Sequence, residues 1–391
     1  MSKLKDNLIV KLLLGVVLGI VIGLVANERV IRGIITVKDI LGQFILFCVP
    51  LIIIGFIAPS ITSLQENASK MLGVTLFIAY LSSVGAALFS TVAGYAIIPK
   101  LNIVSSVDNL KKLPEIVFKL NIEPLMSVMS ALIFSIIIGL AIVWTKSEKI
   151  NALLKEFQNI MLEIVKKMVI PILPIFIATT FAGLAYEGSI TKQLPIFIEI
   201  IIIVIIGHFI WLALLYSIAG LISKENPWEV VKHYGPAYLT AVGTMSSAAT
   251  LPVALDSARK SKVLDKEIVD FAIPIGSTIH LCGSVLTEVF FVMTVSKILY
   301  GTLPSISSMI TFVILLGVFA IGAPGVPGGT VMASLGLITS ILGFNDSGVA
   351  LMLTIFALQD SFGTACNITG DGAIALMLTG IFKNGSKNAS L

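Results

Sequence analysis

Residues 358–371 read LQDSFGTACNITGD, and this polar stretch lies inside a long apolar segment. Asp360, Asn367 and Asp371 are spaced i, i+7 and i+11, which places them on one face of a helix. A charged residue at the centre of a membrane helix costs roughly 2.5–3.5 kcal/mol on insertion scales. A helix end in water would avoid that cost, but apolar runs flank the stripe on both sides. The stripe therefore predicts a functional site within a membrane.

The composition makes a lipid bilayer the expected solvent. Of the 391 residues, 57% are hydrophobic and 12% are charged, whereas a soluble domain carries about 25% charged residues. The mean hydropathy is +1.03. The net charge of +4 gives no argument for a nucleic-acid partner. Cys48, Cys282 and Cys366 lie in apolar stretches without a CxxC pair, so neither a disulfide framework nor a zinc site is expected.

A membrane-spanning helix needs roughly 20 mostly apolar residues. The uninterrupted candidates are 8–26, 41–61, 72–98, 124–144, 158–186, 194–222, 267–297 and 346–380. We expect Met1–Ala26 to be a retained first helix rather than a signal peptide. Its basic start at Lys3 and Lys5 precedes an apolar run that is longer than the core of a signal peptide.

Two further segments, 234–258 and 305–343, each predict a half-helix, a break and a second half-helix. The breaks read MSSAATLP at 245–252 and GAPGVPGG at 322–329. Paired broken segments indicate the binding site of a transporter, and their Ser- and Gly-rich tips expose main-chain N–H groups that attract a carboxylate. Gly and Pro also serve simply to make a turn. A pair of kinked helices, or a cytoplasmic loop at 234–258 before a basic cluster, remain alternatives.

The span at 267–297 carries a second polar stripe. Pro274 and Gly276 predict an unwound helix whose free carbonyls coordinate cations. His280, Ser284 and Glu288 recur at i, i+4 and i+8, again on one face. A buried His and Glu on one stripe indicate a proton path. A purely structural alternative is that His280 hydrogen-bonds a main-chain carbonyl.

The distribution of Lys and Arg predicts the orientation. With the N-terminus inside and both broken segments re-entrant, Lys and Arg are more numerous in the inner loops. Arg29, Arg32 and Lys38 in the first outer loop oppose this mildly. We therefore expect a multi-pass protein of the plasma or inner membrane, in contact with lipid, with a cytoplasmic N-terminus.

Four motifs together resemble a known family. They are the final stripe at 360–371, SSAATLP at 246–252, GVPGGT at 325–330 and FCVPL at 47–51. Over roughly 8–380 the chain resembles the dicarboxylate/amino acid:cation symporters, which share the glutamate-transporter-homologue fold.

The resemblance implies an all-α polytopic membrane protein with eight transmembrane helices and two re-entrant helical hairpins. It also implies a homotrimer in which a transport domain slides past a fixed scaffold, with the second hairpin as a gate. Helices 1 and 2 (1–70) would belong to the scaffold. Residues 71–157 would hold transport helix 3 and scaffold helix 4, and 158–233 scaffold helix 5 and transport helix 6. Residues 234–391 would form the transport core of hairpin 1, helix 7, hairpin 2 and helix 8.

By the same resemblance, Asp360 would bind the ammonium of an amino acid, while Asn367 and the hairpin tips would hold its carboxylate. The implied substrate-binding residues are Ser246, Ser247, Ser284, Val326, Gly329, Asp360, Gly363, Thr364 and Asn367. The implied sodium ligands are Asp371 with the carbonyls of Gly276, His280 and Asn367 at one site, and Thr278 with the second hairpin at another. Sodium, protons or both would be the coupling ions, with no other cofactor.

One departure from the family concerns the substrate. Members that carry acidic substrates have an arginine three residues after the acid that Asp360 matches, and here that residue is Gly363. Without a guanidinium, a side-chain carboxylate has no bidentate partner. The sequence therefore favours a small neutral amino acid over an acidic amino acid or dicarboxylate, which remains the alternative. Gly363 also leaves room for a bulkier substrate side chain.

Other departures concern the coupling ion. Cys282 replaces an acid that binds a third sodium in relatives, and Ala79 replaces a tyrosine of that site, although Ser82 and Ser83 match. Glu288 lies where proton-coupled relatives carry a glutamate. We therefore expect the third sodium to be missing, and Glu288 and His280 are the candidates for proton coupling.

Two other classes of membrane protein, a protease and an ion channel, compete with a symporter. An aspartyl protease needs two carboxylates about 3 Å apart, but Asp360 and Asp371 lie roughly 16 Å apart along one helix. A serine protease could pair Ser246 or Ser247 with His280, yet the sequence offers no evident third partner. An ion channel would also suit re-entrant segments. One acid, one Asn and amide-rich tips fit a solute pocket better, so we predict a transporter and no enzyme.

Overall fold

The computed structural model describes residues 8–66, 70–101, 103, 111–188 and 190–388. Lys3 and Lys5 of the predicted basic start lie outside these residues. Every regular element in the described part is helical, in agreement with the predicted all-α class. The helices are α1 Leu8–Val25, α2 Glu28–Glu66, α3 Lys70–Ile97, α4 Val128–Thr145, α5 Glu148–Ile164, α6 Ile170–Glu187, α7 Ile190–Ser223, α8 Trp228–Val231, α9 Gly235–Thr244, α10 Ser247–Arg259, α11 Lys266–Ile279, α12 Cys282–Tyr300, α13 Ile306–Gly322, α14 Gly329–Ser340 and α15 Asp346–Asn388.

Several of these helices are long and apolar enough to cross a membrane. Within the described residues, the six that qualify are Glu28–Pro59, Lys70–Lys100, Glu148–Glu187, Pro195–Ser223, Lys266–Tyr300 and Asp346–Phe382. The apolar parts of α1 and α4 are shorter. The predicted count of eight spans, which needs α1 and α4 to cross as well, stays a prediction.

The second helix begins earlier than predicted. It starts at Glu28, whereas the hydropathy pattern suggested an outer loop up to residue 40. Ile31 and Ile35, one turn apart, are buried and form a small apolar cluster with Tyr186 of α6. This packing extends the helix into a region whose basic residues made it look like a loop.

The helices pack in two groups. Helices α1, α2, α4, α5 and α6 contact one another, while α3, α7 and α9–α15 form the other group. The most apolar 18-residue window of α11–α12 is 94% buried within the protein, and that of α15 is 89% buried. The corresponding window of α7 is only 33% buried. The polar stripes of α12 and α15 therefore face protein rather than lipid.

Close packing of α1 on α6 depends on glycine. Three glycines spaced four residues apart on α1 each lie against a main-chain carbonyl of α6. The pairs are Gly15 with Pro174, Gly19 with Ala178 and Gly23 with Ala182. A Cβ on Gly15 would lie only 2.6 Å from its partner oxygen. Such small-residue stripes allow helix backbones to approach closely in a membrane.

Each predicted broken segment is a helical hairpin. Helix α9 ends at Thr244, because the next residue, Met245, has a left-handed φ of 53°, and α10 begins after Ser246. Helices α13 and α14 are separated by 323–328, where Gly328 has a φ of 71°. The two halves of each segment pack against each other. That packing excludes a single kinked helix and a structureless loop.

The break between α11 and α12 falls at His280 and Leu281. His280 is extended, with φ −109° and ψ 101°, and α12 restarts at Cys282. Pro274 and Gly276, which predicted an unwound helix, both lie within α11. The interruption was therefore predicted correctly, but it lies one turn later than those residues suggest.

Candidate functional site

The two hairpin tips and the end of α11 meet at one point. The hydroxyl of Ser246 donates to the carbonyl of Gly325 at 2.8 Å. A Cβ on Gly325 would lie 3.7 Å from the main-chain nitrogen of Ala248 and 3.5 Å from the carbonyl oxygen of Ser277. Both tips are thus brought beside the start of the α11–α12 break.

Asp360 faces the second tip. Its Oδ2 accepts a hydrogen bond from the main-chain N–H of Gly328 at 2.6 Å, and the side chain is 3% exposed. This contact places a carboxylate at the N-terminus of α14, where the helix dipole favours negative charge. None of the ion pairs among the described residues involves Asp360. A buried acid without a protein cation is suited to receive one from a ligand.

The two hairpin tips differ in how many main-chain N–H groups remain free to bind a ligand. In the second tip, the N–H of Val326 donates to Pro324 at 2.8 Å and that of Gly329 donates to Val326 at 2.9 Å. In the first tip, Ser247 and Ala248 carry the first N–H groups of α10, which have no partner within their own helix. The first tip is therefore better arranged to receive a carboxylate than Val326 or Gly329.

Asn367 connects α15 to the restart of α12. Its Oδ1 accepts from the N–H of Gly283 at 2.7 Å and of Ser284 at 3.1 Å, and its Nδ2 donates to the Ser284 hydroxyl at 2.9 Å. The amide thus caps a helix in the interior of the protein. One Nδ2 hydrogen remains for another acceptor.

Asp371, His280 and Ser82 form a buried chain of hydrogen bonds. Asp371 Oδ1 lies 3.0 Å from His280 Nδ1, and His280 Nε2 lies 2.9 Å from the Ser82 hydroxyl. Asp371 and His280 are fully buried and Ser82 is 6% exposed. The structural alternative for His280 is a hydrogen bond from its ring to a main-chain carbonyl. That alternative is wrong, because both ring nitrogens bond to side chains.

This chain has the hydrogen-bond order of a Ser–His–Asp triad. The sequence-based argument that His280 lacks an oriented third partner is therefore wrong, since Asp371 is that partner. Ser82 from α3, rather than Ser246 or Ser247, is the serine involved. The burial of all three side chains leaves no room for a scissile carbonyl, so the geometry gives no support to a protease.

The residues predicted to bind sodium are only partly brought together. Gly276 and His280 both lie against Asp371, since a Cβ on Gly276 would be 2.8 Å from Asp371 Oδ1. Asp371 Oδ2 is buried and has no hydrogen-bond partner among the described residues. Thr278 is exposed and its hydroxyl donates to Ile275 at 2.7 Å. An orphaned, buried carboxylate oxygen suits a hard cation.

Side chains alone do not form a metal site. Within the described residues, no group of three or more His, Cys, Asp and Glu side chains is arranged to hold a metal ion. A sodium ion at Asp371 would therefore depend on main-chain carbonyls, as the break between α11 and α12 allows.

Glu288 lies apart from these groups, in contact with the second hairpin. The carboxyl is fully buried, its Oε1 forms a hydrogen bond with the Ser334 hydroxyl, and its Oε2 has no partner among the described residues. Ser334 also lies 3.1 Å from the carbonyl of Val331. A hydroxyl has one hydrogen, so both contacts are satisfied when protonated Glu288 donates to Ser334 and Ser334 donates to Val331.

Gly363 and Thr364 lie on the buried side of α15. A Cβ on Gly363 would be 3.3 Å from the Cα of Ser284, and Thr364 is 4% exposed. The sequence predicts that Gly363 leaves room for a bulkier substrate. That prediction is wrong along the direction in which a Cβ would point, because the α12 backbone fills this space.

Some residues of the site carried no clear signal in the sequence. Ser334 is one of four hydroxyl residues in a mostly apolar half-helix, and no motif distinguishes it. The sequence indicates no role for His208, yet its Nε2 lies 3.0 Å from the Gly283 carbonyl and 2.9 Å from the Thr287 hydroxyl. Ser82 was noted only for a third sodium. Its pairing with His280 depends on the packing of α3 against α12, which spacing does not predict.

Comparison with curated proteins gives relatives that are transporters. The chain is 29% identical over 254 residues to Excitatory amino acid transporter 2 of Mus musculus, covering 63% of this chain and 43% of that protein. It is 28% identical over 264 residues to human Excitatory amino acid transporter 1, covering 66% of this chain and 47% of that protein. The chain thus spans less than half the length of these relatives.

The family-level match is broader. Residues 8–381 match the sequence pattern of the Sodium:dicarboxylate symporter family. That range includes both hairpins, the α11–α12 break and the polar stripe of α15. The predicted resemblance is confirmed, and the chain belongs to the sodium:dicarboxylate symporter family, a family of membrane transporters rather than enzymes.

Proposed function

We propose that the protein is a symporter that moves a small neutral amino acid across the cell membrane, coupled to sodium, protons or both. The single observation that carries the proposal is the buried Asp360, which pairs with no cation among the described residues and lies where the two hairpin tips meet. A carboxylate, free helix N-terminal amides and a polar amide are the complement of a zwitterionic amino acid.

In this proposal Asp360 binds the substrate ammonium. The N–H groups of Ser247 and Ala248 hold the substrate carboxylate, together with the remaining Nδ2 hydrogen of Asn367. Ser246, Ser284, Val326, Gly329, Gly363 and Thr364 complete the predicted pocket. When substrate binds, Asp360 would exchange its bond to Gly328 for the ammonium, which links ligand binding to the second hairpin.

Coupling to sodium is assigned to Asp371 with the carbonyls of Gly276, His280 and Asn367. The unpartnered Asp371 Oδ2 supports this assignment. A second site would involve Thr278 and the second hairpin. Coupling to protons is assigned to Glu288, with His280 as the other candidate. The arrangement of hydrogen bonds at Ser334 supports a carboxyl that is neutral while it contacts the second hairpin.

Transport would follow an elevator mechanism in a homotrimer. The second group of helices would be the mobile transport domain and the first group the scaffold. That division follows the predicted domains, with 1–70 in the scaffold, 71–157 and 158–233 each shared, and 234–391 in the transport core. We expect the N-terminus to be cytoplasmic.

The preference for a neutral substrate is supported by the charges around the site. The tips at 244–250 and 323–330 and the stripe at 356–371 contain no Lys or Arg. A substrate with a second carboxylate would therefore bring an uncompensated charge into a buried site. An acidic amino acid or a dicarboxylate is the competing substrate class, and a channel is the competing mechanism.

Uptake of labelled amino acids into proteoliposomes tests the proposal, with sodium and proton gradients imposed separately. We expect saturable uptake of a neutral amino acid under at least one gradient and its loss in Asp360→Ala. Transport of aspartate without competition from neutral amino acids would refute the neutral assignment. Absence of saturable uptake across the panel would refute the amino-acid assignment.

The replacement Gly363→Arg tests why acidic substrates are disfavoured. An added guanidinium should increase competition by aspartate relative to neutral amino acids. Because a Cβ at this position comes 3.3 Å from Ser284, Gly363→Ala is the matched control for steric effects. Equal changes in both variants would show that size, not charge, explains the result.

A further inference from the structure

Gln359 is an unexplained polar residue in the core of α15. Its side chain is fully buried, and neither its amide oxygen nor its amide nitrogen has a hydrogen-bond partner among the described residues. Buried amides are normally hydrogen-bonded, because an unpaired one loses its hydration without compensation. A side chain of this kind is expected to have a partner in some step of the protein's function.

The packing of α15 against α12 identifies the level at which Gln359 lies. Asp371 pairs with His280, and further back along α15 Gly363 lies against Ser284. Residue numbers thus fall on α15 as they rise on α12, so the two helices are antiparallel.

One turn before Gly363 on α15 is Gln359, and one turn after Ser284 on α12 is Glu288. The antiparallel register therefore places Gln359 and Glu288 at the same level of the helix pair. Glu288 Oε2 is also buried and unpartnered. Both polar atoms of the amide and one carboxyl oxygen share this level without hydrogen bonds to the described protein.

Few other ionisable groups approach Glu288 from the helices that pack on α12. On α7, His208 contacts the neighbouring Thr287. On α15, Asp360 is turned to the second tip. The tyrosines of α3, Tyr80 and Tyr95, donate to the carbonyls of Ile314 in α13 and of Pro304 before it. Helices α13 and α14 carry no ionisable side chain.

We propose that Gln359 is a positioning residue for Glu288, and that its amide Nε2 donates to the Glu288 carboxylate once that group has lost its proton. This inference rests on the proposed proton coupling. In the protonated state Glu288 donates to Ser334, as described above. When the proton leaves for water on the open side, Glu288 becomes an anion that needs donors. The Ser334 hydroxyl then donates its single hydrogen to one oxygen of the Glu288 carboxylate, and the Gln359 amide donates a second hydrogen bond to that carboxylate.

Stabilisation of the ionised form lowers the affinity of Glu288 for its proton. Gln359→Met keeps a similar volume but removes the donor. We expect the pH of half-maximal substrate uptake to move upward by about 1 unit in this variant. The substrate KM at low pH, where Glu288 is protonated, should not change. A merely structural role for Gln359 would lower the maximal rate without moving the pH profile.

The experiment measures uptake against external pH in proteoliposomes of the full chain. The variants are Gln359→Met, Gln359→Leu as a second apolar replacement, Gln359→Asn as a conservative one and Glu288→Gln. Gln359→Asn retains an amide and should show a smaller shift than the apolar variants. The double variant of Glu288→Gln with Gln359→Met should be as insensitive to pH as Glu288→Gln alone.

The outcomes separate this inference from the proposed function. If Glu288→Gln removes the pH dependence but neither apolar variant at Gln359 moves the profile, Gln359 does not position Glu288. If the KM for the amino acid changes instead of the pH profile, the amide contacts substrate and the inference is overturned. If Glu288→Gln leaves the pH dependence intact, the proton assignment itself fails.

Discussion

Replacing Asn367 with leucine should destabilise the protein, because the amide caps α12 in the protein interior. Leucine has a similar volume but leaves the N–H groups of Gly283 and Ser284 without their acceptor. The Asn367 side chain is 2% exposed, so water does not readily replace it. The two lost acceptor contacts are 2.7 and 3.1 Å long.

The size of the effect follows from those contacts. A buried donor that loses its partner costs about 1–3 kcal/mol. Two such donors give a decrease of about 2–5 kcal/mol in the free energy of unfolding, after a partial offset from burying leucine. Ser284→Ala removes only the bond from Asn367 Nδ2 to the Ser284 hydroxyl. That control should cost about 1 kcal/mol.

The measurement is unfolding in mixed micelles with increasing SDS, followed by tryptophan fluorescence, in which the buried Trp211 reports on the core. The free energies of unfolding of both variants and of the unmodified protein are compared in the same SDS titration. If Asn367→Leu loses no more stability than Ser284→Ala, the capping role assigned to Asn367 is wrong.

The same unfolding assay tests two further predictions. Gly19→Leu should lower the free energy of unfolding by about 3 kcal/mol or more, because a side chain there meets the α6 backbone. The control is Gly33→Ala, where no atom lies within 4 Å of the added Cβ. This control should leave the free energy of unfolding unchanged or raise it. Arg259→Gln should cost less than about 1 kcal/mol, because its bond to Asp270 is exposed on both sides, and a larger loss would mean that this pair contributes more than a surface ion pair.

Much of the helical architecture could be predicted from hydropathy. The long apolar runs, the two interrupted segments and the polar stripe of α15 have a direct signal, since length and burial in lipid leave few alternatives. The early start of α2 was missed because Ile31 and Ile35 are buried by Tyr186, a residue far along the chain. The basic residues Arg29, Arg32 and Lys38 in the same segment make it resemble a loop.

The site was less accessible to sequence reasoning. Asp360, Asn367 and Asp371 do share a helix, but their partners come from different elements: Gly328 from the second tip, Gly283 and Ser284 from α12, and His280 from the break. Spacing along one helix predicts a common face and not the partner across it. The pairing of Ser334 with Glu288 likewise depends on how the second hairpin packs.

Counterflow in proteoliposomes without any ion gradient tests most directly whether the protein is a carrier whose substrate is bound by Asp360. Labelled neutral amino acid outside should accumulate transiently when unlabelled amino acid is loaded inside, because a carrier exchanges one for the other through a single alternating site. Asp360→Asn should abolish this accumulation while the protein remains folded. Entry of label that is indifferent to internal substrate, or counterflow that survives Asp360→Asn, would contradict a carrier whose substrate is bound by Asp360.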